Sequence, residues 1–268
     1  GVVGFADDRL TGEDLQAEVS AYARSLYADY QVADDFTPGK APQETVKRKH
    51  HVSVAGFLAN TGNSDVVREA AALAGRKLVG FGTDGKFHPE AVTPDFMGLA
   101  LGIAVEDSGA DFYNHLVEML KTTKNAMLSR AILGSLGGAT EPELVARTQD
   151  MILSGKLKQN EVPTLLFSYL SEEENRKEGW QWFKTNYQKI VDVMAKDQAA
   201  SLPYAGTLFC STEKAQEVET FFTGKVEELP GGPRNLAQAL EVIRLCAAQK
   251  QAQSESAQAF FKEQNAAE

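Results

Sequence analysis

The sequence predicts an all-α fold, an α-α superhelix of stacked antiparallel helix pairs of the HEAT/ARM solenoid kind, and three observations carry that expectation. Apolar residues recur at spacings of three and four from one end of the chain to the other. Helix-opening and helix-closing residues punctuate those stretches at lengths of roughly 10 to 20 residues, ordinary for globular helices. The only strand candidates, Val2 to Phe5 and Leu78 to Phe81, are too short and isolated to form a sheet.

The elements follow in order. Thr11, with Asp14 three residues on, is placed to cap a first helix whose Leu15, Val19, Tyr22 and Leu26 share one face. A second runs from about Gln43 to Asn60 and stops at Gly62, where a left-handed residue can end it. Ser64 and Asp65 open a third bearing Val66, Ala70 and Leu73. Residues Gly80 to Pro94 form the one long irregular connection, and Thr93 as cap with Pro94 as first helical residue then begins a helix with Phe96, Leu99 and Ile103. Helices follow closely at Phe112 to Leu120, at Ala126 to Leu136 before Gly137-Gly138, and at Leu144 to Leu153. Thr140-Glu141-Pro142-Glu143 reads as a capping box for the last of these, and Gly155 closes it. Glu161 to Leu170 and Glu172 to about Ala195 come next; the latter aligns Trp180, Phe183, Tyr187, Ile190 and Met194 on a stripe that must be buried. Ser211 caps a helix with Ala215, Val218 and Phe222 that ends at Gly224, and Pro233 opens a last one with Leu236, Leu240 and Ile243. The chain thus divides into an N-terminal helix and linker (1–39), the superhelix (40–250) and a polar C-terminal tail (251–268) that frays.

With 268 residues, 43% of them hydrophobic and 24% charged, the chain can bury a sizeable core, which argues against disorder. The longest apolar runs, such as Leu165-Leu166-Phe167, fall far short of the roughly 20 residues of a membrane span. A net charge of −10 repels a phosphate backbone, and Lys47-Arg48-Lys49 is too short to reverse that field, so nucleic acid is not expected as a partner. Cys210 and Cys246, without a CxxC pair, supply neither a disulfide framework nor a thiolate zinc site and read as packing residues, which leaves the compartment open. The start, Gly1-Val2-Val3-Gly4, has no initiator Met and no signal region, as expected of a processed or excised fragment.

No local motif carries catalysis or a metal. Gly80-Phe81-Gly82-Thr83-Asp84-Gly85 matches GxGxxG by letter, but a dinucleotide loop needs a helix opening at its last glycine, and Lys86 to Pro89 follows instead. Adjacent His50 and His51 diverge by roughly 100° on a helix and cannot chelate one ion. His88 and His115 stand alone, HExxH is absent, and no GxSxG supports a serine nucleophile. Asp34-Asp35 and Glu172-Glu173-Glu174 are read as structural, the latter at a helix start where the dipole favours acids. The expectation is therefore no catalytic and no metal-binding residue, and no cofactor, in this chain.

A resemblance adds to this reading. Gly179-Trp180-Gln181-Trp182-Phe183-Lys184-Thr185-Asn186-Tyr187-Gln188-Lys189-Ile190 resembles a segment of the C-terminal domain of HExxH/GxMEN zinc aminopeptidases, the branch of aminopeptidase N and the puromycin-sensitive, insulin-regulated and antigen-trimming enzymes. Phe209-Cys210-Ser211-Thr212 leading to Val218, Glu219, Phe221 and Phe222 is similar to that family's next segment, and Leu236 to Ile243 to its terminal helix. Lys158 to Pro163 and Ser135 to Gly137 fall where the domain has a similar turn and helix, while Ser171 to Arg176 departs from its Asn-Pro-bearing loop. The resemblance covers residues 40 to 250. It implies a non-catalytic domain downstream of the zinc chemistry that caps the active-site cavity and helps to admit and bind peptides. Its partners would be the parent's own N-terminal catalytic domain, where the zinc lies, and peptide substrates. Trp180, Phe183, Asn186, Tyr187, Phe221 and Phe222 match positions that pack and cap. A peptide carboxylate in a partly enclosed cavity calls for a charge-assisted donor, for which Arg130 and Arg176 are the candidates, against their reading as solvated surface arginines. The alternative is a free-standing HEAT-like scaffold that binds a protein partner.

Overall fold

A computed structural model describes residues 2–265, and every regular element among them is helical. The all-α class therefore stands, and both strand candidates fall on helix or turn: Val2–Phe5 is α1, and Leu78 ends α4. The chain divides into two compact units, Gly1–Ile132 with Ala252–Glu268, and Leu133–Gln251.

In the first unit α1 (Val2–Phe5) runs into a π-helical turn, Ala6–Leu10, which Thr11 terminates: its hydroxyl donates to the Ala6 carbonyl (3.0 Å). Thr11 is thus committed to the turn behind it and does not cap α2 (Gln16–Leu26), which a short 3₁₀ turn, Glu13–Leu15, introduces. Val19 and Ala23 are fully buried while Leu26 is exposed, so the inward stripe ends a turn earlier than the spacing implies. A 3₁₀ turn, Val32–Phe36, carries Asp35 and Phe36 into the core, and α3 (Thr45–Ala59) follows. The left-handed residue beyond α3 is Asn63 (φ 41°), not Gly62. Gly62 is required for a different reason: a Cβ there would press on the backbone of Leu58.

Helix α4 (Asp65–Leu78) faces inward through Val67, Ala71, Ala74 and Leu78, and leaves Val66 and Leu73 exposed at 68% and 47%. That reverses the face expected from its larger apolar residues. The cause is its close crossing with α5 (Met97–Thr122), where a Cβ on Gly75 would collide with the Ala100 carbonyl and meet Ala104; small residues gain more by backbone approach than large ones do by area. Helix α5 contains a non-helical residue, Gly109 (φ 58°), which separates the two helices the sequence predicts. The segment between α4 and α5 is a string of turns with left-handed Gly80, Gly82 and Gly85 and 3₁₀ turns at Pro89–Ala91 and Pro94–Phe96. No helix opens at Gly85, so the GxGxxG letters form no phosphate cradle.

Helix α6 (Ala126–Gly137), whose Leu128 amide is capped by the Asn125 side chain, spans the boundary between the units. In the second unit α7 (Pro142–Leu153) starts behind Glu141, without a side-chain cap; the Thr140 to Glu143 capping box fails because it is one residue out of register with the helix start. Helices α8 (Val162–Ser171) and α9 (Glu173–Val193) are joined through Glu172 alone, and Gly179 lets α9 approach Tyr169 so closely that a Cβ would lie 3.0 Å from its hydroxyl. Beyond α10 (Lys196–Ala199) and a 3₁₀ turn (Leu202–Leu208) come α11 (Thr212–Phe222) and α12 (Gly232–Asn265). Ser211 caps α11 as expected, accepting from the Lys214 amide at 3.2 Å.

Two differences from the sequence reading concern the C-terminal part. Residues 251–265 continue α12 as helix, and Phe261, 3% exposed, joins Ala6, Leu10 and Val19 in a small core, with Tyr22 edge-on to its ring at 5.7 Å. Three residues of the expected tail, 266–268, lie outside the described residues. Cys210 and Cys246 are not separate packing residues but a disulfide, with Cα atoms 5.1 Å apart. A spacing of 36 residues gives no local sign of it; α11 and the turn after it bring the two together.

Candidate functional site

The resemblance-bearing residues assemble around Trp180 in the second unit. On α9 a spacing of three and four puts Trp180, Phe183, Tyr187 and Ile190 on the inward face, all nearly or fully buried. The Trp180 ring stacks on Phe183 (5.4 Å, 24°) and meets Phe221 (5.9 Å) and Phe209 (5.7 Å) near edge-on. Phe221 and Phe222 from α11 close the cluster against Tyr187. The Tyr187 hydroxyl is buried without a hydrogen-bond partner among the described residues, and burial pushes its pKa up. Asn186 turns its amide back on its own helix, donating to the Trp182 carbonyl at 3.0 Å.

One edge of this cluster is polar. The Trp180 indole N–H donates to Glu217 Oε1 (2.8 Å); Lys184 reaches the same oxygen and Lys214 the other, both at 2.6 Å. Burial pushes the Glu217 carboxyl up, but the hydrogen bonds from Lys184, Lys214 and Trp180 outweigh it and bring its pKa down to about 2. The ammonium groups also face rings: Lys184 lies 5.9 Å from the Trp180 centroid and Lys214 4.8 Å from that of Phe209. Each charge on this edge is thus satisfied locally, so the edge is chemically an anchor.

The two arginine candidates differ. Arg176, in the second turn of α9, is partly buried and donates to the Ser171 carbonyl at 3.3 Å. Arg130, on the first-unit part of α6, is exposed and its guanidinium has no partner among the described residues. The histidines are engaged one by one. His51 Nδ1 lies 2.6 Å from the buried Asp35 carboxylate, His50 meets the Tyr30 hydroxyl (3.4 Å), and His115 Nε2 donates to the Val79 carbonyl (2.7 Å). His88 bridges Asp84 (2.9 Å) and Glu90 (3.2 Å), which raises its pKa, Asp84 contributing more than Glu90. No group of three or more His, Cys, Asp or Glu among the described residues could hold a metal ion.

The profile of the ERAP1-like C-terminal domain matches residues 2–245, nearly the whole chain. This chain belongs to the ERAP1-like C-terminal domain family. Among its relatives are Aminopeptidase M1-B of Oryza sativa subsp. japonica, 28% identical over 56% of this chain and 17% of its own length, and Aminopeptidase 2, mitochondrial, of Saccharomyces cerevisiae, 24% identical over 58% and 16%. Aminopeptidase M1 of Arabidopsis thaliana is 26% identical over 50% of this chain and 15% of its own length. The chain thus spans about a sixth of the curated relatives it matches.

Within this ERAP1-like domain the aromatic residues named from the sequence do come together, whereas the polar half of the anchor was missed. Trp180 and Lys184 one turn apart, and Lys214 and Glu217 one turn apart, were the available signal, but nothing in the sequence tells which α9 turn faces which α11 turn.

Proposed function

We propose that this domain is the non-catalytic C-terminal domain of a zinc-dependent metallo-aminopeptidase, where it caps the active-site cavity and helps to admit and bind peptide substrates. The observation that carries this reading is the family match over residues 2–245, supported by relatives that are each named an aminopeptidase. In this reading the superhelix is residues 40–250, with 1–39 leading into it and 251–268 following. Its partner is the parent's catalytic domain, which supplies the zinc. Trp180, Phe183, Asn186, Tyr187, Phe221 and Phe222 keep the second unit rigid, and Arg130 and Arg176, each taken by itself, are the candidate donors to the carboxylate end of the peptide.

The test has two arms. The chain alone, purified without a tag, is expected to carry no stoichiometric zinc by elemental analysis and to cleave no aminoacyl chromogenic substrate. One zinc per chain, or chelator-sensitive turnover, would overturn the reading. In the parent enzyme, removal of residues 40–250 is expected to impair cleavage of a long peptide more than that of a small aminoacyl substrate. Equal effects on both would point instead to a scaffold for some other protein.

A further inference from the structure

The Trp180 anchor depends on where α11 begins, and three consecutive residues fix that point. Phe209 lies edge-on to the Trp180 ring at 5.7 Å and takes the Lys214 ammonium over its own ring at 4.8 Å. Cys210 is bonded to Cys246 of α12. Ser211 caps α11 by accepting from the Lys214 amide. Lys214 in turn holds Glu217, to which the Trp180 indole donates. Another polar link between α11 and α12, Arg244 to Glu219 (2.8 Å), is half exposed at both ends and holds them weakly. The disulfide therefore stands in the middle of the one short segment that aligns cap, lysine and indole.

We propose that the Cys210–Cys246 disulfide is a redox-sensitive lock on the Trp180–Glu217 anchor, closed in an oxidising compartment and opened by dithiol reductants. Opening is a thiol–disulfide exchange: a reductant thiolate attacks one sulfur and expels the other cysteine as a thiolate, and the reductant's second thiol then displaces the first cysteine. Two electrons and two protons end on Cys210 and Cys246, and the reductant leaves as its disulfide. Both cysteines are partly exposed, so reagents reach them. Once opened, the start of α11 is held by noncovalent contacts alone, and the unfolded chain regains the freedom of a 36-residue loop. Because disulfides persist in secreted, lumenal and periplasmic proteins and are kept reduced in the cytosol, the domain is built to work outside a reducing cytosol.

The test uses the full chain produced in an oxidising compartment. Thiol titration under denaturant is expected to find no free thiol, and thermal melts with and without a dithiol to differ by roughly 5 to 15 °C, the shift a lost disulfide brings in a protein of this size. Amide exchange is expected to accelerate on reduction in residues 209–222 before it does in α7 and α8. The double variant C210S/C246S is expected to melt with the reduced wild type and to ignore the dithiol; should it fail to fold, the paired wild-type melts still decide. Two titratable thiols in the untreated protein, or a melt unmoved after titration confirms reduction, would overturn the proposal.

Discussion

The Trp180 anchor of the second unit and the Gly80–Ala91 turns of the first each hold a carboxylate with nitrogen donors, and they make opposite use of it. Glu217 sits against an aromatic cluster that fixes both lysines and the indole before any charge is counted, so its hydrogen bonds act in a partly desolvated setting. Asp84 and Glu90 flank His88 with similar distances, but both carboxylates are exposed and all three residues rest on turns with no aromatic cluster to order them, so water competes for each bond. The same chemistry is an anchor where apolar packing organises it and a local latch where it does not. If that account is right, removing the apolar part of the anchor must hurt most, removing its charge less, and removing the latch least.

Trp180→Ala tests the first step. It deletes a side chain only 1% exposed, with four ring neighbours, and is expected to destabilise by roughly 3 to 5 kcal/mol, as large aromatic truncations do. Urea melts of the two forms measure it. A change below about 1 kcal/mol would mean that the cluster is not the organising element and would collapse the contrast.

The charge of Glu217 comes next. Its folded pKa of about 2 lies below the ordinary glutamate value of 4.5, so its contribution is present above pH 4.5 and is lost as pH falls from there toward 2. Glu217→Gln keeps an acceptor for the indole but removes the charge that both lysines need, and a loss of about 1 to 2 kcal/mol at pH 7 is expected. The variant's melting temperature should also fall less steeply than the wild type's between pH 4.5 and 2. Parallel acid profiles would show that the lysines hold Glu217 no better than water does.

What the sequence made legible follows the same division. Helix positions and the Trp180 to Met194 stripe depend on neighbours three and four apart in the chain, and these were found. The inward face of α4 was misread because Gly75 and Ala71 matter through the approach of α5, which no local spacing encodes. Glu217, the Cys210–Cys246 bond and the burial of Phe261 all need partners at least 30 residues away, and only the assembled structure supplies them. Thr11 and the Thr140 to Glu143 box failed for a smaller reason: capping tolerates no register error, and helix starts are the least certain part of a periodic pattern.

The arginines extend the comparison to the proposed parent enzyme. Arg176 shares α9 with Trp180 and already donates to Ser171, so its truncation should act mainly on local structure; Arg130 is exposed with no partner among the described residues, so its charge is available to a ligand. Arg130→Ala is expected to raise KM for a long peptide with a free carboxylate roughly threefold to tenfold, the value of one solvent-accessible charge-assisted bond, and to leave the amidated peptide unchanged. Arg176→Ala should discriminate between the two peptides less. If both variants treat the two peptides as the wild type does, neither arginine reads the C-terminus.

The smallest effect belongs to His88. Its pKa is raised by the hydrogen bond to Asp84 first and to Glu90 second; in turn the hydrogen bond from His88 lowers Asp84, and Glu90 is lowered by its own backbone amide first and by His88 second. A raised pKa means that the protonated latch is fully formed below 6.5, the ordinary histidine value, and is lost as pH rises through the folded value above it. The backbone around it has its own supports: the His88 amide donates to the Leu78 carbonyl at 2.8 Å, and Phe81 packs edge-on to buried Phe112 at 5.0 Å. Losing the latch should therefore loosen residues 84–90 without melting α4 or α5. His88→Gln is expected to leave the melting temperature within error of the wild type at both pH 6 and pH 8. Amide exchange at Lys86 and Ala91, by contrast, should quicken between those pH values, after correction for the intrinsic rate, in the wild type alone. A global melting shift comparable to that of Glu217→Gln would break the comparison, because an imidazole held on a turn would then act as a packed anchor does.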